Sequence, residues 1–305
     1  PTGNTIQGNY IGTDVTGTVA LPNERAGVLL LFGATENQIG GSAAGEGNLI
    51  SGNGQYGIYL QGSLEAPVES NDITGNTVGM NASETAALGN TAGIFLWGEN
   101  NSNQIGESTD GSANIIAGNS SSGVVLFEGG TNNAIIGNSI GLNSSGEAFG
   151  NGGSGVDIEG SSGNFIGGSI AGQGNIIANN TLDGVEVTDS GGILSVGNSI
   201  LGNQIYANGG IGIDLAGDGI TQNDDLDTDT GPNNLQNSPE ITSYSLSSDQ
   251  LSITYSLNSD PANTTYPVRV EFFRANTDFT QARAYLGSDS YTSTDYAGGD
   301  KLVTI

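Results

Sequence analysis

Short apolar segments with a two-residue alternation recur through the first 222 residues of this chain. In GIYLQG, which begins at Gly57, the alternation directs Ile58 and Leu60 to the same side of a strand. The Gly-Val/Ile opening occurs seven times, and the paired inner side chains are Val28/Leu30, Ile58/Leu60, Ile94/Leu96, Val124/Leu126, Val156/Ile158, Val185/Val187 and Ile213/Leu215. The pattern predicts short β-strands whose inner side chains form one continuous column.

A second pattern, Asn-x-Ile-x-Gly-Asn, lies between these strands. Its seven copies begin at Asn4, Asn48, Asn71, Asn114, Asn133, Asn175 and Asn198, with Asn179 in the place of glycine in the sixth copy. Gly-Asn after a strand favours a tight bend, because both residues tolerate positive φ. We expect the central isoleucines to line a second inner wall. We expect the closing asparagines to stack, each amide donating to the next: Asn9, Asn53, Asn76, Asn119, Asn138, Asn180 and Asn203.

The spacing of both patterns indicates a solenoid. Copies of the asparagine motif at Asn4, Asn71, Asn133 and Asn198 lie 67, 62 and 65 residues apart, whereas the Gly-Val/Ile openings lie 28 to 36 residues apart. One coil therefore has about 30 residues, and one sequence repeat spans two coils. Because neither a 3.6-residue pattern nor a hexapeptide period is present, we predict an all-β fold: a right-handed parallel β-helix of about seven coils over residues 1–222.

The sequence changes character after this region. Residues 223–239 form an acidic junction, and residues 240–305 contain the alternating runs SITYSL, VRVEFF and KLVTI, together with four of the five basic residues. Such runs predict antiparallel strands with one solvated face. We therefore expect a small antiparallel β-sandwich-like module. We interpret this module as incomplete at Ile305, and the chain as a piece of a longer protein.

Several of these segments resemble a known class of repeats. GNLISGN, NDITGNTVGMN and GNIIANN, with the GIYLQG-type strands, resemble the right-handed parallel β-helix repeats of large bacterial secreted and cell-surface proteins. The segment 210–241 resembles the closing part of such helices, and 266–305 resembles the β-sandwich module that commonly follows them. The resemblance covers nearly the whole chain and implies an extracellular structural or adhesive context. It transfers no catalytic residue to this sequence.

Charge narrows the range of partners. The chain of 305 residues has 32 acidic and 5 basic residues, and its net charge is −27. Nucleic acid and anionic membrane surfaces are poor partners for this chain, because binding either requires a basic patch. No histidine or cysteine is present, so the usual zinc, copper and iron ligands are missing. Hard cations, calcium above all, fit this composition.

The acidic junction is the first candidate site. Asp225, Asp227 and Asp229 alternate in a predicted loop, where their carboxylates can converge on one calcium ion. Asp218 and Asp224 flank this loop, and Asp214 on the preceding strand adds a further predicted ligand. The EF-hand pattern is not met, since Thr230 stands where that loop needs glycine. The alternative is a solvated acidic linker without an ion.

The outer face of the predicted strands is the second candidate site. Its outward positions form two columns that change from aromatic to acidic along the stack, and the residues selected as glycan contacts are Tyr59, Phe95, Trp97, Phe127, Asp157, Glu159 and Glu186. Aromatic planes beside carboxylates suit carbohydrate binding. Asp157 and Asp214, two coils apart, would be separated by roughly 9–10 Å, near the upper limit for inverting glycoside hydrolysis. The alternative is a structural surface covered by loops or by a neighbouring subunit.

The leading functional hypothesis is a non-catalytic, extracellular β-helix segment of a larger bacterial surface or filament-forming protein. Its partners would be glycans or copies of itself joined end to end. The competing hypothesis is a carbohydrate-binding or carbohydrate-active β-helix. Polysaccharide lyase chemistry is disfavoured within that class, because residues 1–222 contain one basic residue, Arg25, and no histidine to act as the base.

Overall fold

A parallel β-helix of seven coils forms most of the molecule. The computed structural model describes residues 1–109, 111–248, 250–276 and 280–305, and these residues contain three parallel sheets of seven strands each. Sheet 1 consists of Thr5–Ile6, Gln38–Gly40, Asp72–Thr74, Gln104–Ile105, Ala134–Ile135, Phe165–Gly167 and Ser199–Leu201. Sheet 2 consists of Tyr10–Ile11, Leu49–Ile50, Thr77–Val78, Ile115–Ile116, Ser139–Ile140, Ile176–Ala178 and Gln204–Tyr206. Sheet 3 consists of Ala26–Leu31, Tyr56–Gln61, Ala92–Trp97, Val124–Phe127, Val156–Glu159, Val185–Thr188 and Ile213–Leu215.

The inner face of sheet 3 confirms the predicted aliphatic column. Neighbouring strands pair in parallel with Val28 opposite Ile58, and so on along the stack to Val185 opposite Ile213. Six of the seven predicted pairs are buried in the central core. The last coil departs from the prediction, because no further coil covers it: Ile213 is 42% exposed and Leu215 is half-buried.

The central isoleucines line two walls rather than the single second wall that we predicted. Ile6 and Ile73 lie on sheet 1, whereas Ile50 and Ile116 lie on sheet 2. Consecutive copies of the asparagine motif therefore alternate between two sheets, which explains why the sequence repeat spans two coils. Three apolar walls enclose a thin core, and every coil depends on its neighbours for burial.

Asparagine ladders run along the three corners between the sheets. The first ladder contains Asn4, Asn37, Asn71, Asn103, Asn133, Asn164 and Asn198. The second contains Asn9, Asn48, Asn76, Asn114, Asn138, Asn175 and Asn203. The third contains Asn23, Asn53, Asn90, Asn119, Asn151, Asn180 and Asn208. The predicted stacking is confirmed, but the closing asparagines divide between two ladders and alternate there with residues that we did not predict.

The bends beside the ladders have the predicted backbone conformation. Gly75 has φ +67° and Gly137 has φ +66°, in the left-handed region that favours glycine. Asn179, which replaces glycine in one copy of the motif, has φ +61°. Asparagine tolerates this conformation better than other residues with a side chain, so the substitution keeps the bend.

The C-terminal part forms two small antiparallel sheets. Of the described residues, Glu240–Ser247, Gln250–Ser256 and Lys301–Thr304 form one sheet, and Val268–Ala275 and Ala282–Tyr291 form the other. Ile253, Tyr255, Leu257, Val270, Phe272 and Tyr291 form their common core. A 3₁₀ turn at Pro232–Leu235, a helix at Ser293–Gly298 and a short parallel pair, Val68–Glu69 with Asn100–Asn101, complete the described elements. Antiparallel strands at the three predicted runs are thus confirmed.

Candidate functional site

The outer face of sheet 3 carries the two predicted columns. Strand register places Tyr59 beside Phe95, and Asp157 beside Glu186. The second column runs in the same way from Trp97 through Phe127 and Glu159. Because strands in neighbouring coils lie about 4.8 Å apart, each side chain lies beside its counterparts in the coils above and below. We call this surface the aromatic–acidic face, defined by Phe95, Trp97, Phe127, Asp157, Glu159 and Glu186.

Tyr59 does not belong to the exposed part of this face, contrary to our expectation. It is only 1% exposed, because Tyr56 stacks on it at 4.8 Å between ring centroids and the Arg25 guanidinium lies 4.6 Å from its ring centroid. Burial raises the pKa of the Tyr59 hydroxyl, and this hydroxyl is neutral at physiological pH. Tyr59 therefore supports the face from within and cannot contact a ligand directly.

The aromatic half of the face remains accessible. Trp97 is 40% exposed, and Phe95 and Phe127 are half-buried with 6.1 Å between their ring centroids. Their strands pair directly, so the two phenylalanines and the tryptophan form one apolar platform. A platform of this kind suits the apolar face of a sugar ring.

The acidic half lies immediately beyond that platform. Asp157 is half-buried, and the Ser122 hydroxyl donates to its Oδ2 at 3.5 Å. The neighbouring Glu186 accepts from the Ser154 hydroxyl at 2.9 Å. Burial, followed by the negative charges of Glu186 and Glu159, raises the pKa of Asp157 to about 7. A carboxyl group that is partly protonated at neutral pH therefore borders the aromatic platform.

Asp157 is expected to make the stability of the fold depend on pH. Its pKa rises from 3.8 to about 7 on folding, so between these values the folded chain holds a proton that the unfolded chain has released. Its contribution to stability therefore falls as the pH rises from about 4 to about 7. Asp157→Asn should be more stable than the wild type by about 2 kcal/mol at pH 8 and equal to it near pH 4. Urea denaturation at both pH values measures this, and equal stability at pH 8 would contradict it.

Asp214 has a structural role rather than the predicted part in a calcium site. It is 4% exposed, and its two carboxylate oxygens accept the backbone N–H groups of Gly217 and Gly219 at 3.1 and 2.9 Å. These bonds fix the turn that leaves the last coil. With its oxygens committed to that turn, Asp214 is also unsuited to act with Asp157 as a glycosidase pair.

Three carboxylates of the junction come together, and two of them, Asp227 and Asp229, are among the calcium ligands that we predicted. Asp224, Asp227 and Asp229 have carboxylate oxygens within 4.8 Å of one another. Asp225 lies outside this group, where its Oδ1 accepts from the Asn258 amide at 3.4 Å. Asp218 is exposed and also lies outside it. We call Asp224, Asp227 and Asp229 the carboxylate cluster.

The three members of the cluster differ in how their oxygens are used. Asp227 accepts from the Thr264 hydroxyl at 2.8 Å, from the Asn237 backbone N–H at 2.8 Å and from the Ser259 hydroxyl. Asp224 accepts from the Thr228 hydroxyl at 2.7 Å, a bond that lowers its pKa. By contrast, Asp229 Oδ1 is buried and receives no donor from the described residues.

Asp229 is therefore the unsatisfied member of the cluster. Burial raises its pKa, and so do the negative charges of Asp224 and Asp227. A buried carboxylate oxygen without a partner is costly unless a cation or a proton neutralises it. The all-oxygen donor set fits a hard cation such as calcium.

Comparisons of the chain with protein-family models, with curated proteins and with solved structures found no match. Among the described residues, no helix is both long and apolar enough to cross a membrane.

Proposed function

We propose that this chain is a rigid, non-catalytic spacer within a larger bacterial secreted or cell-surface protein. The observation that carries the proposal is the unbroken succession of side-chain bonds of 2.8 to 3.1 Å along all three asparagine ladders. Every coil is tied to the next at three corners around a continuous aliphatic core. Such a stack resists bending and holds its two ends at a fixed separation, as a structural or adhesive segment requires.

The sequence supports the extracellular setting of this proposal. The repeats and the C-terminal module resemble those of large bacterial secreted and surface proteins. A net charge of −27 keeps such a surface soluble and repels anionic lipid and nucleic acid. The partners that we propose are glycans or other copies of the chain.

Glycan binding at the aromatic–acidic face is the second candidate function. It is favoured by the accessible Trp97 beside Phe127, and by Glu159 on the other side of Phe127, where an apolar platform meets hydrogen-bond acceptors. Glycoside hydrolysis is a narrower form of this candidate and would use Asp157 as the acid.

A glycan array distinguishes the two candidates. If the face binds sugars, the wild type binds at least one array member, and Trp97→Ala weakens that binding at least tenfold. Leu246→Ala, which removes an exposed apolar side chain from the C-terminal antiparallel sheet, should leave the binding unchanged. Release of reducing ends by the wild type, lost in Asp157→Asn, would establish hydrolysis. Absence of binding to every glycan supports the spacer.

We further propose that calcium binds the carboxylate cluster and stiffens the joint between the β-helix and the C-terminal module. Asp227 is bonded to Ser259 and Thr264 of that module, whereas the cluster itself lies in the segment that leaves the last coil. An ion held by Asp224, Asp227 and Asp229 would fasten the two parts together. It would also give the buried Asp229 Oδ1 a partner.

Calcium is expected to raise the melting temperature of the wild type by roughly 5 °C at a concentration 100-fold above its dissociation constant, relative to the chelated protein. Asp229→Asn should abolish this rise, because it removes one charge from the cluster. Asp218→Asn is the matched control and should retain the full rise, since Asp218 is exposed and lies outside the cluster. Differential scanning calorimetry measures the effect, and equal melting with calcium and with chelator would contradict the site.

A further inference from the structure

The last coil of the β-helix presents backbone and asparagine donors that, in every earlier coil, are paired with the coil that follows. Within each ladder, an asparagine donates its backbone N–H and its side-chain amide to the Oδ1 of the next. The last asparagines, Asn198, Asn203 and Asn208, have no further coil to receive these donors. Unpaired backbone groups at the edge of a sheet invite pairing with another chain.

Gln281 occupies the place of the missing asparagine at the end of the third ladder. The backbone N–H of Asn208 donates to Gln281 Oε1 at 2.8 Å, and its side-chain amide donates to the same oxygen at 3.3 Å. The Gln281 amide in turn donates to the carbonyl oxygens of Asn208 and Gly210 at 2.8 and 2.9 Å. The geometry repeats that between Asn180 and Asn208 one coil earlier, and Gln281 is only 5% exposed.

The backbone of Thr280, next to Gln281, also accepts a hydrogen bond that a further coil would accept. One coil earlier, the N–H of Gly184 donates to the carbonyl of Ile211. At the end of the stack, the N–H of Gly212 donates in the same way to the carbonyl of Thr280, at 3.0 Å. Thr280 and Gln281 therefore satisfy the end of the helix as a further coil would.

Residues from the C-terminal half also reach the other two corners. At the first ladder, Asn198 donates its N–H to Asn233 Oδ1 at 2.9 Å, and the Asn233 amide returns a bond of 2.8 Å to the Asn198 carbonyl. At the second corner, Gly202, which precedes Asn203, donates its N–H to Glu271 Oε2 at 2.7 Å. Three separate segments of the chain thus meet the three corners of the last coil.

We propose that the C-terminal part of the chain is an end cap, which pairs the donors of the last coil as an eighth coil would and so prevents that coil from pairing with another copy of the chain. Without the cap, the backbone and asparagine donors of the last coil would be unpaired and open to the acceptors of a second copy.

The double variant Asn233→Ala/Gln281→Ala of the full chain tests the proposal. Hydrogen exchange followed by mass spectrometry should show at least tenfold faster exchange at the amides of Asn198, Asn208 and Gly212 than in the wild type. The matched control is Asn234→Ala/Gln250→Ala. Asn234 shares the positive φ of Asn233 (56° and 47°), and both control residues are exposed. Exchange that is unchanged in the double variant would overturn the cap.

Light scattering tests the second half of the proposal. The wild type and the control should remain monomeric as concentration rises, whereas the double variant should gain mass. A constant mass in the double variant would overturn the claim that the cap prevents association. If the double variant does not fold, Gln281→Glu replaces it: the carboxylate still accepts from Asn208 but cannot donate to Asn208 and Gly210. Exchange at Asn208 and Gly212 should then rise, and wild-type exchange in this variant would equally overturn the cap.

Discussion

Replacing Asn114 by alanine is expected to destabilise the protein by about 4 kcal/mol. Asn114 is completely buried in the middle of the second ladder. Its Oδ1 accepts both the backbone N–H and the side-chain amide of Asn76 at 3.0 Å, and its own amide donates to Ile73 O at 2.7 Å and to Asn138 Oδ1 at 2.9 Å. Alanine removes all of these bonds and leaves buried donors and acceptors without partners.

Asn9→Ala is the control within the same ladder. Asn9 also donates to the next asparagine, at 3.0 Å, but it stands at the exposed end of the ladder, and none of the described residues donates to its side-chain oxygen. Its loss should cost less than about 1 kcal/mol, because water can replace the missing bonds. Equilibrium unfolding in urea gives both values, and equal costs at the two positions would show that the ladder contributes little.

Replacing Gly141 by alanine is the second large expected effect, again about 4 kcal/mol. Gly141 has φ +87°, and a Cβ built there would lie 1.9 Å from the carbonyl oxygen of Ala178 in the next coil. Carbon and oxygen cannot approach so closely, so the two coils must separate. That separation would also strain the neighbouring ladder bond, since Asn180 Oδ1 lies 2.9 Å from the same Cβ position.

Gly146→Ala isolates the steric part of this effect. Gly146 has a similar φ of +79°, but no atom lies within 4 Å of a Cβ built there. Alanine at this position should cost only about 1 kcal/mol, the strain of the left-handed backbone itself. Thermal or urea unfolding of both variants provides the comparison. Equal stability of Gly141→Ala and Gly146→Ala would contradict the close approach between Gly141 and the Ala178 carbonyl oxygen.

Alternation of apolar residues was sufficient to predict the fold, because a two-residue period assigns each side chain to a face without reference to any distant residue. Ile58 and Leu60 point inward in the structure for that reason, and Asp157 and Glu186 point outward in register. The ladders were only partly predictable. Asn90 and Asn151 follow loops of different lengths and belong to no motif, so their place in the third ladder depends on how those loops close.

The sites were less predictable, because they depend on contacts between segments without a repeat. Tyr59 is buried by Tyr56 and Arg25, which lie outside the alternating strand positions that we compared. In the junction, Leu226 and Asp227 have positive φ, which turns Asp225 away and brings Asp224 into the cluster. Our prediction from alternating residues assumed that the backbone of this loop is extended. The positive φ values at Leu226 and Asp227 show that it is not.

Exchange of the asparagine side-chain amides is the most direct test of the ladder architecture. In nuclear magnetic resonance spectra, the carboxamide protons of interior residues such as Asn71, Asn114 and Asn119 should exchange with water about a thousandfold more slowly than those of the exposed Asn234. Such protection arises only if each amide is buried and bonded to its neighbours in the stack. Exchange of the interior amides at the rate of Asn234 would contradict the ladders, and with them the rigid β-helix.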